Sequence, residues 1–106
     1  MSDSLILQVR RAATQKIIFS QHAVDEMLAE DQAITTEEVR CVIFEGEIIE
    51  EYQEDARGQS VLILGYGDNR PIHLVCSPKT EYLAIITTYT PSLRKWDPNY
   101  RTRRRS

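Results

Sequence analysis

The stretch Ile34-Thr35-Thr36-Glu37-Glu38-Val39-Arg40-Cys41-Val42-Ile43-Phe44-Glu45-Gly46-Glu47-Ile48-Ile49-Glu50-Glu51-Tyr52 decides the fold. Thr35 followed three residues later by Glu38 forms a capping box, in which hydroxyl and carboxylate each accept from a backbone N–H at a helix start. Ile34 and Val39 stand where a hydrophobic staple closes over that box. A helix is therefore predicted over about residues 36–45, with Gly46 in place for a left-handed C-cap. After Gly46 the apolar spacing changes from helical to short β-rich runs separated by turn residues.

Reading towards the C-terminus, Ile48–Tyr52, Val61–Tyr66, Ile72–Ser77 and Leu83–Thr90 are predicted as four strands. They are joined by Asp55-Ala56-Arg57-Gly58, Gly67-Asp68-Asn69-Arg70 and Pro78-Lys79-Thr80-Glu81, and such short links imply an antiparallel meander. Pro91 and Pro98 end regular pairing, and Arg101–Ser106 reads as a flexible basic tail. Towards the N-terminus, Ser20 is a second N-cap, with Phe19 and Val24 as its staple and Val24, Met27 and Leu28 as the buried stripe of a helix to about Glu30. Lys16–Phe19 reads as a strand, and Leu5, Val9 and Ala12 mark a short N-terminal helix within residues 4–13. The expected class is α+β: short helix, strand, two helices, then a four-stranded antiparallel meander, with the helices on one face of the sheet. At 106 residues the chain is one domain over 1–100, with 101–106 as its tail.

A hydrophobic fraction of 42% with 27% charged residues is globular composition and argues against disorder. No apolar run nears the roughly 18–20 residues of a membrane span, and no signal-peptide pattern opens the chain, so a cytoplasmic protein is expected. Cys41 and Cys76 lie in apolar surroundings without metal-ligand spacing and are expected as buried free thiols. No phosphate loop, nucleophile elbow or CxxC occurs, and no cofactor or metal is implied. The net charge of −3 is unevenly placed: residues 21–55 hold twelve acidic residues against Arg40, whereas 94–106 hold six basic residues against Asp97. The acidic cluster Glu45, Glu47, Glu50, Glu51, Glu54 and Asp55 reads as a solvated edge that blunts strand-to-strand aggregation.

Ile17-Ile18-Phe19-Ser20-x-His22-Ala23, the capped helix into Gly46-Glu47-Ile48-Ile49-Glu50, Gly65, Arg70-Pro71-Ile72-His73-Leu74-Val75 and Ile86-Thr87-Thr88-Tyr89 together resemble the domain-of-unknown-function family 4258. That family in turn resembles the RelE/ParE/BrnT superfamily of small toxins and RNA-directed nucleases. The resemblance covers about residues 16–100. It implies a toxin-type domain acting on RNA or the ribosome, with endoribonuclease chemistry that needs no metal, and an antitoxin partner such as a small zinc-finger protein.

Cleaving RNA without a metal takes a base for the 2′-hydroxyl, an acid for the leaving oxygen and cations for the phosphate. His22 falls in the first turn of a helix, where the dipole favours neutral imidazole and suits a base; the alternative is a capping or packing role. His73, flanked by Ile72 and Leu74, is expected to pair with Leu64 and share a face with Tyr66 and Val75; it is either catalytic or a satisfied structural histidine. The same register, carried over the loop at 78–81, brings Arg70 opposite Tyr89, a pair that could bind a phosphate or simply stack. Arg94, Lys95, Trp96, Arg101 and Arg103 interleave cations with an aromatic, the composition of an RNA-binding segment, although Trp96 could instead cover the end of the core. Two function classes thus stand side by side: a ribonuclease-like toxin domain using His73, His22, Arg70 and Tyr89, and a non-catalytic protein–protein interaction module, which the acidic balance favours. Thr35→Ala is predicted to cost about 1 kcal/mol of stability through loss of the cap, measured by urea denaturation.

Overall fold

The computed structural model describes residues 2–53 and 58–104 and runs α1 (Ser2–Gln15), β1 (Ile17–Phe19), α2 (Gln21–Ala29), α3 (Thr36–Glu45), β2 (Glu47–Tyr52), β3 (Ser60–Tyr66), β4 (Pro71–Pro78) and β5 (Leu83–Tyr89). The expected turn at residues 55–58 falls mostly outside the described residues. No described helix is long and apolar enough to cross a membrane.

Both predicted caps form. Thr35 Oγ1 accepts from the Glu38 N–H and Glu38 Oε1 from the Thr35 N–H, each at 3.1 Å. Ser20 Oγ accepts from the Ala23 N–H at 3.0 Å and donates to the Ile86 carbonyl at 2.9 Å, so one hydroxyl starts α2 and docks it on β5. The buried side of α2 is Ala23 and Met27. Leu28, expected in that stripe, is exposed, because about 100° of helical turn separates it from Met27. Cys41 is likewise exposed, one step off the buried Val42, while Cys76 is buried and its thiol is pushed up to about 12 by desolvation.

Gly46 does not take the left-handed cap expected of it; its backbone is extended, with φ −84° and ψ −174°. A glycine is needed there for close approach, since a Cβ would lie 2.5 Å from the Val42 carbonyl and 2.6 Å from that of Leu64. The open carbonyls at the end of α3 are instead met by Arg10, whose guanidinium donates to Ile43 O at 2.9 Å and Gly46 O at 3.0 Å.

The strands β2 to β5 form the antiparallel meander, but the sheet has five strands rather than four. In the order β1-β5-β4-β3-β2, β1 pairs parallel with β5, Ile17 opposite Leu83 and Phe19 opposite Ile85. A three-residue strand carries no local signal of its partner, and this partner lies across the whole domain. Val61, Ile63, Ile72, Leu74, Cys76, Leu83 and Ile85 meet Val9, Ala12, Ala23, Met27, Val39, Val42 and Ile43 in one helix-covered core.

Into this core's margin the fold inserts an ion pair. Arg70 donates to Glu38 Oε1 at 2.8 Å and Oε2 at 3.0 Å, and also to the carbonyls of Gln32 at 2.7 Å and Ala33 at 3.0 Å. Glu38 Oε2 further accepts from the Asp68 N–H at 2.9 Å. The Arg70 guanidinium, helped by these N–H donors against the cost of burial, holds the Glu38 carboxyl down at about 2. Removing either partner leaves a charge largely buried and unpaired, so Arg70→Ala or Glu38→Gln is predicted to cost about 3 kcal/mol. Because the folded value is depressed, this stability is present above the ordinary value of 4.5 and lost as pH falls towards 2. Denaturation across that range should show the loss in the natural chain and its absence in Glu38→Gln.

Candidate functional site

The pleat sends Leu62, Leu64, His73 and Val75 to the face of the sheet opposite the helical core, with His73 paired to Leu64 as expected. That face is not bare. Residues 95–104 form a small hairpin across it: Trp96 bridges Arg103, the Asp97 N–H donates to Thr102 O at 2.8 Å, and Tyr100 takes the turn with φ 61°. Arg103 grips Glu50 of β2 with two bonds of 2.8 and 3.0 Å and lies 4.8 Å over the Trp96 ring, and Arg101 pairs with Glu47. The Arg103 guanidinium lowers the Glu50 carboxyl, and Tyr52 adds a hydrogen bond to it. Residues 101–104 of the expected tail thus carry contacts to β2 and to the Trp96 ring; Arg105 and Ser106 lie outside the described residues.

His73 is the buried centre of this arrangement, with no exposed surface. Its Nε2 lies 2.8 Å from the Tyr100 carbonyl, which can only accept, so Nε2 carries the hydrogen. Nδ1 is then the acceptor for the Tyr89 hydroxyl at 3.3 Å. The Trp96 ring stands edge-on to the imidazole, with 4.4 Å between centroids. Burial lowers the His73 pKa and favours the neutral ring that this tautomer requires. Tyr89 is raised by its own burial, so its hydroxyl stays protonated as a donor.

The expected Arg70–Tyr89 juxtaposition does not form. The loop sits at residues 79–82, later than expected, and Ile86 is a bulge between the pairs Val75–Thr87 and Cys76–Ile85, so Tyr89 comes opposite His73. Arg70 is turned away, its guanidinium bound by Glu38 and the Gln32 and Ala33 carbonyls.

Beside Tyr89 a cleft of about 430 Å³ opens between α2, β5 and the C-terminal hairpin. Its walls are His22 and Glu26 from α2, Thr87 and Tyr89 from β5, then Thr90, Ser92, Lys95, Trp96 and Arg103. Of the residues singled out by sequence, His22, Tyr89, Lys95, Trp96 and Arg103 line it, and His73 supports it through Tyr89 and Trp96. Arg70, Arg94 and Arg101 do not line it. Trp96 is only 2% exposed, which makes it a wall and leaves little ring surface for stacking a base. Glu26 was not singled out from sequence; the available signal was its place one helical turn after His22, which puts both side chains on one face. Among the described residues, the side chains of His22, Glu26 and Lys95 have no hydrogen bond or ion pair, whereas Tyr89 and Arg103 are both held. No three His, Cys, Asp or Glu side chains among the described residues converge as a metal site would need.

Residues 19–90 match the model of a family described as Domain of unknown function (DUF4258). The chain belongs to that family. The DUF4258 match spans α2, α3 and β2–β5, and so contains the His22, Glu26, His73 and Tyr89 side of the cleft, while Lys95, Trp96 and Arg103 follow it. No curated protein and no solved structure gives a significant match to this DUF4258 chain.

His73→Ala is predicted to destabilise the fold by about 2–4 kcal/mol, since it leaves a cavity and strips the Tyr100 carbonyl and Tyr89 hydroxyl of their partner. With its folded pKa depressed, His73 contributes stability above the ordinary value of 6.5 that is lost as pH falls below it. Thermal melts from pH 8 to pH 5 should show this decline, separate from the more acidic Glu38 transition.

Proposed function

We propose that this DUF4258 chain is a RelE/BrnT-like toxin-type domain that acts on RNA through the cleft between α2, β5 and the C-terminal hairpin. The observation that carries the reading is the cleft itself, which gathers a histidine, a tyrosine hydroxyl and two cations from separate parts of the chain. Lys95, exposed and unpaired among the described residues, supplies a charge for a phosphate, and Arg103, held by Glu50 and Trp96, offers its remaining edge at a fixed position. His22 stands in the first turn of α2 within reach of the same space and can move a proton. His73 orients the Tyr89 hydroxyl from below, as a positioning residue rather than one that meets substrate. The superfamily placement is supported by the strand, helix, helix and meander order, and with it comes a partner of the antitoxin class, a small zinc-finger protein in the related pairs.

The rest of the chain carries net negative charge, so binding runs through the C-terminal cations. Single-stranded RNA is expected to bind with an affinity that falls with salt, and Lys95→Ala or Arg103→Ala should each weaken binding and reduce the slope of log K against log salt by about 0.7. Expression of the natural chain should slow growth, and His22→Ala should relieve it. The second reading, a non-catalytic protein-binding module, is favoured by the pairing of Arg101 and Arg103 with β2 glutamates, which lowers their call on phosphate. An absence of RNA binding at low salt, together with unaffected growth, would decide for that module.

A further inference from the structure

The cleft between α2, β5 and the C-terminal hairpin contains one group that phosphate binding does not explain. Glu26 lines it, half-buried, with no hydrogen bond or ion pair among the described residues, although Lys95 and Arg103 stand in the same walls. Arg103 is instead turned onto Glu50, with bonds of 2.8 and 3.0 Å. An ionised carboxylate only accepts hydrogen bonds and repels phosphate, so the part of a bound strand that meets Glu26 must present donors. The carboxylate is also held in place from behind. Ala23 and Met27 on the same helix are buried, and α2 is pinned to β5 by the Ser20 hydroxyl, which donates to Ile86 O at 2.9 Å, and to Thr90 by Glu30, whose carboxylate accepts from the Thr90 hydroxyl at 2.6 Å. Such a support fixes where an acceptor stands before any ligand arrives.

Resting on the RNA reading of this cleft, we infer that Glu26 is a specificity residue that reads guanine in a single strand. On the Watson–Crick edge of guanine, N1–H and the N2 amino group stand side by side, and the two oxygens of a carboxylate accept from both. Adenine and cytosine set one amino group beside a ring acceptor, and uracil sets one N–H between two carbonyls. Each of them therefore turns at least one lone pair towards Glu26, and the carboxylate loses water without gaining a full set of donors. A bidentate contact of this kind discriminates between bases by about tenfold or more. The edge it needs is free only in an unpaired base, which makes the ligand a single strand. Lys95 and Arg103 hold phosphates alike in every sequence, so selection rests with the carboxylate. The Tyr89 hydroxyl takes no part, since it donates to His73 Nδ1.

The test measures binding of the full chain, by fluorescence anisotropy at low salt, to labelled oligouridine and to the same strand carrying one guanosine, adenosine, cytidine, inosine or 2′-deoxyguanosine. The guanosine strand is expected to bind about tenfold tighter than the uridine, adenosine and cytidine strands. Inosine, which lacks the N2 amino group, should lose most of that gain, and deoxyguanosine should keep it. Glu26→Gln, which puts an amide donor where guanine needs an acceptor, should bring the ratio of guanosine to uridine binding close to one. Glu26 has no partner among the described residues, so this variant should melt with the natural chain. Equal binding of all strands by the natural chain, or a guanosine preference that survives in Glu26→Gln, overturns the guanine contact while the RNA reading stands. A preference kept by inosine and lost with deoxyguanosine also overturns it, and gives Glu26 a 2′-hydroxyl instead of a base. A chain that binds none of the strands overturns both.

Discussion

Glu38 meets two demands with one carboxylate. It closes the capping box that starts α3, and it receives Arg70 from the far end of the β3–β4 turn, 32 residues along the chain. Arg70 in turn satisfies the Gln32 and Ala33 carbonyls in the link between α2 and α3, which have no regular partner of their own. The turn can approach this closely because residue 67 is glycine; a Cβ there would sit 2.5 Å from Glu38 Oε2. A local signal for a helix start thus becomes a tertiary fastening between helical layer and sheet. It also commits the arginine that heads β4 to the architecture and keeps it out of the cleft.

The elements whose signals are local were legible. The two caps, the length of α3, and the β2–β5 succession all follow from spacing within a few residues, and the Leu64–His73 register follows from a tight turn at Gly67–Arg70. What escaped depends on distant partners. Nothing near Ile17–Phe19 indicates that β1 lies parallel to β5, and nothing local marks the loop as sitting at 79–82 or Ile86 as a bulge, the two features that together shift Tyr89 from Arg70 to His73. The basic residues after Pro98 carry no local signal of a partner, yet Glu47 and Glu50 stand across the sheet to pair Arg101 and Arg103.

The candidate site divides along the same line. Residue chemistry pointed to His22, His73, Tyr89 and the Lys95–Arg103 segment, since few other side chains here can move protons or hold phosphate. Their assembly rests on the docked hairpin, which no periodicity reveals. Arg70 was misplaced because a bidentate partner on a helix leaves no pattern in the strand that carries it. Glu26 was overlooked because a glutamate within a strongly acidic stretch looks like solvated surface, and only the position of α2 at the edge of β5 sets it apart from its neighbours.

The pinning of α2 to β5 by Ser20 spans 66 residues of sequence. Contacts of that range are among the last to form, because the loop they close must be ordered before they repay its entropy. The meander can pair strand by strand through short turns, but the edge occupied by β1 and α2 must wait for β5. One wall of the cleft thus exists only where α2 and β5 are both in place, so the site depends on closing that 66-residue loop.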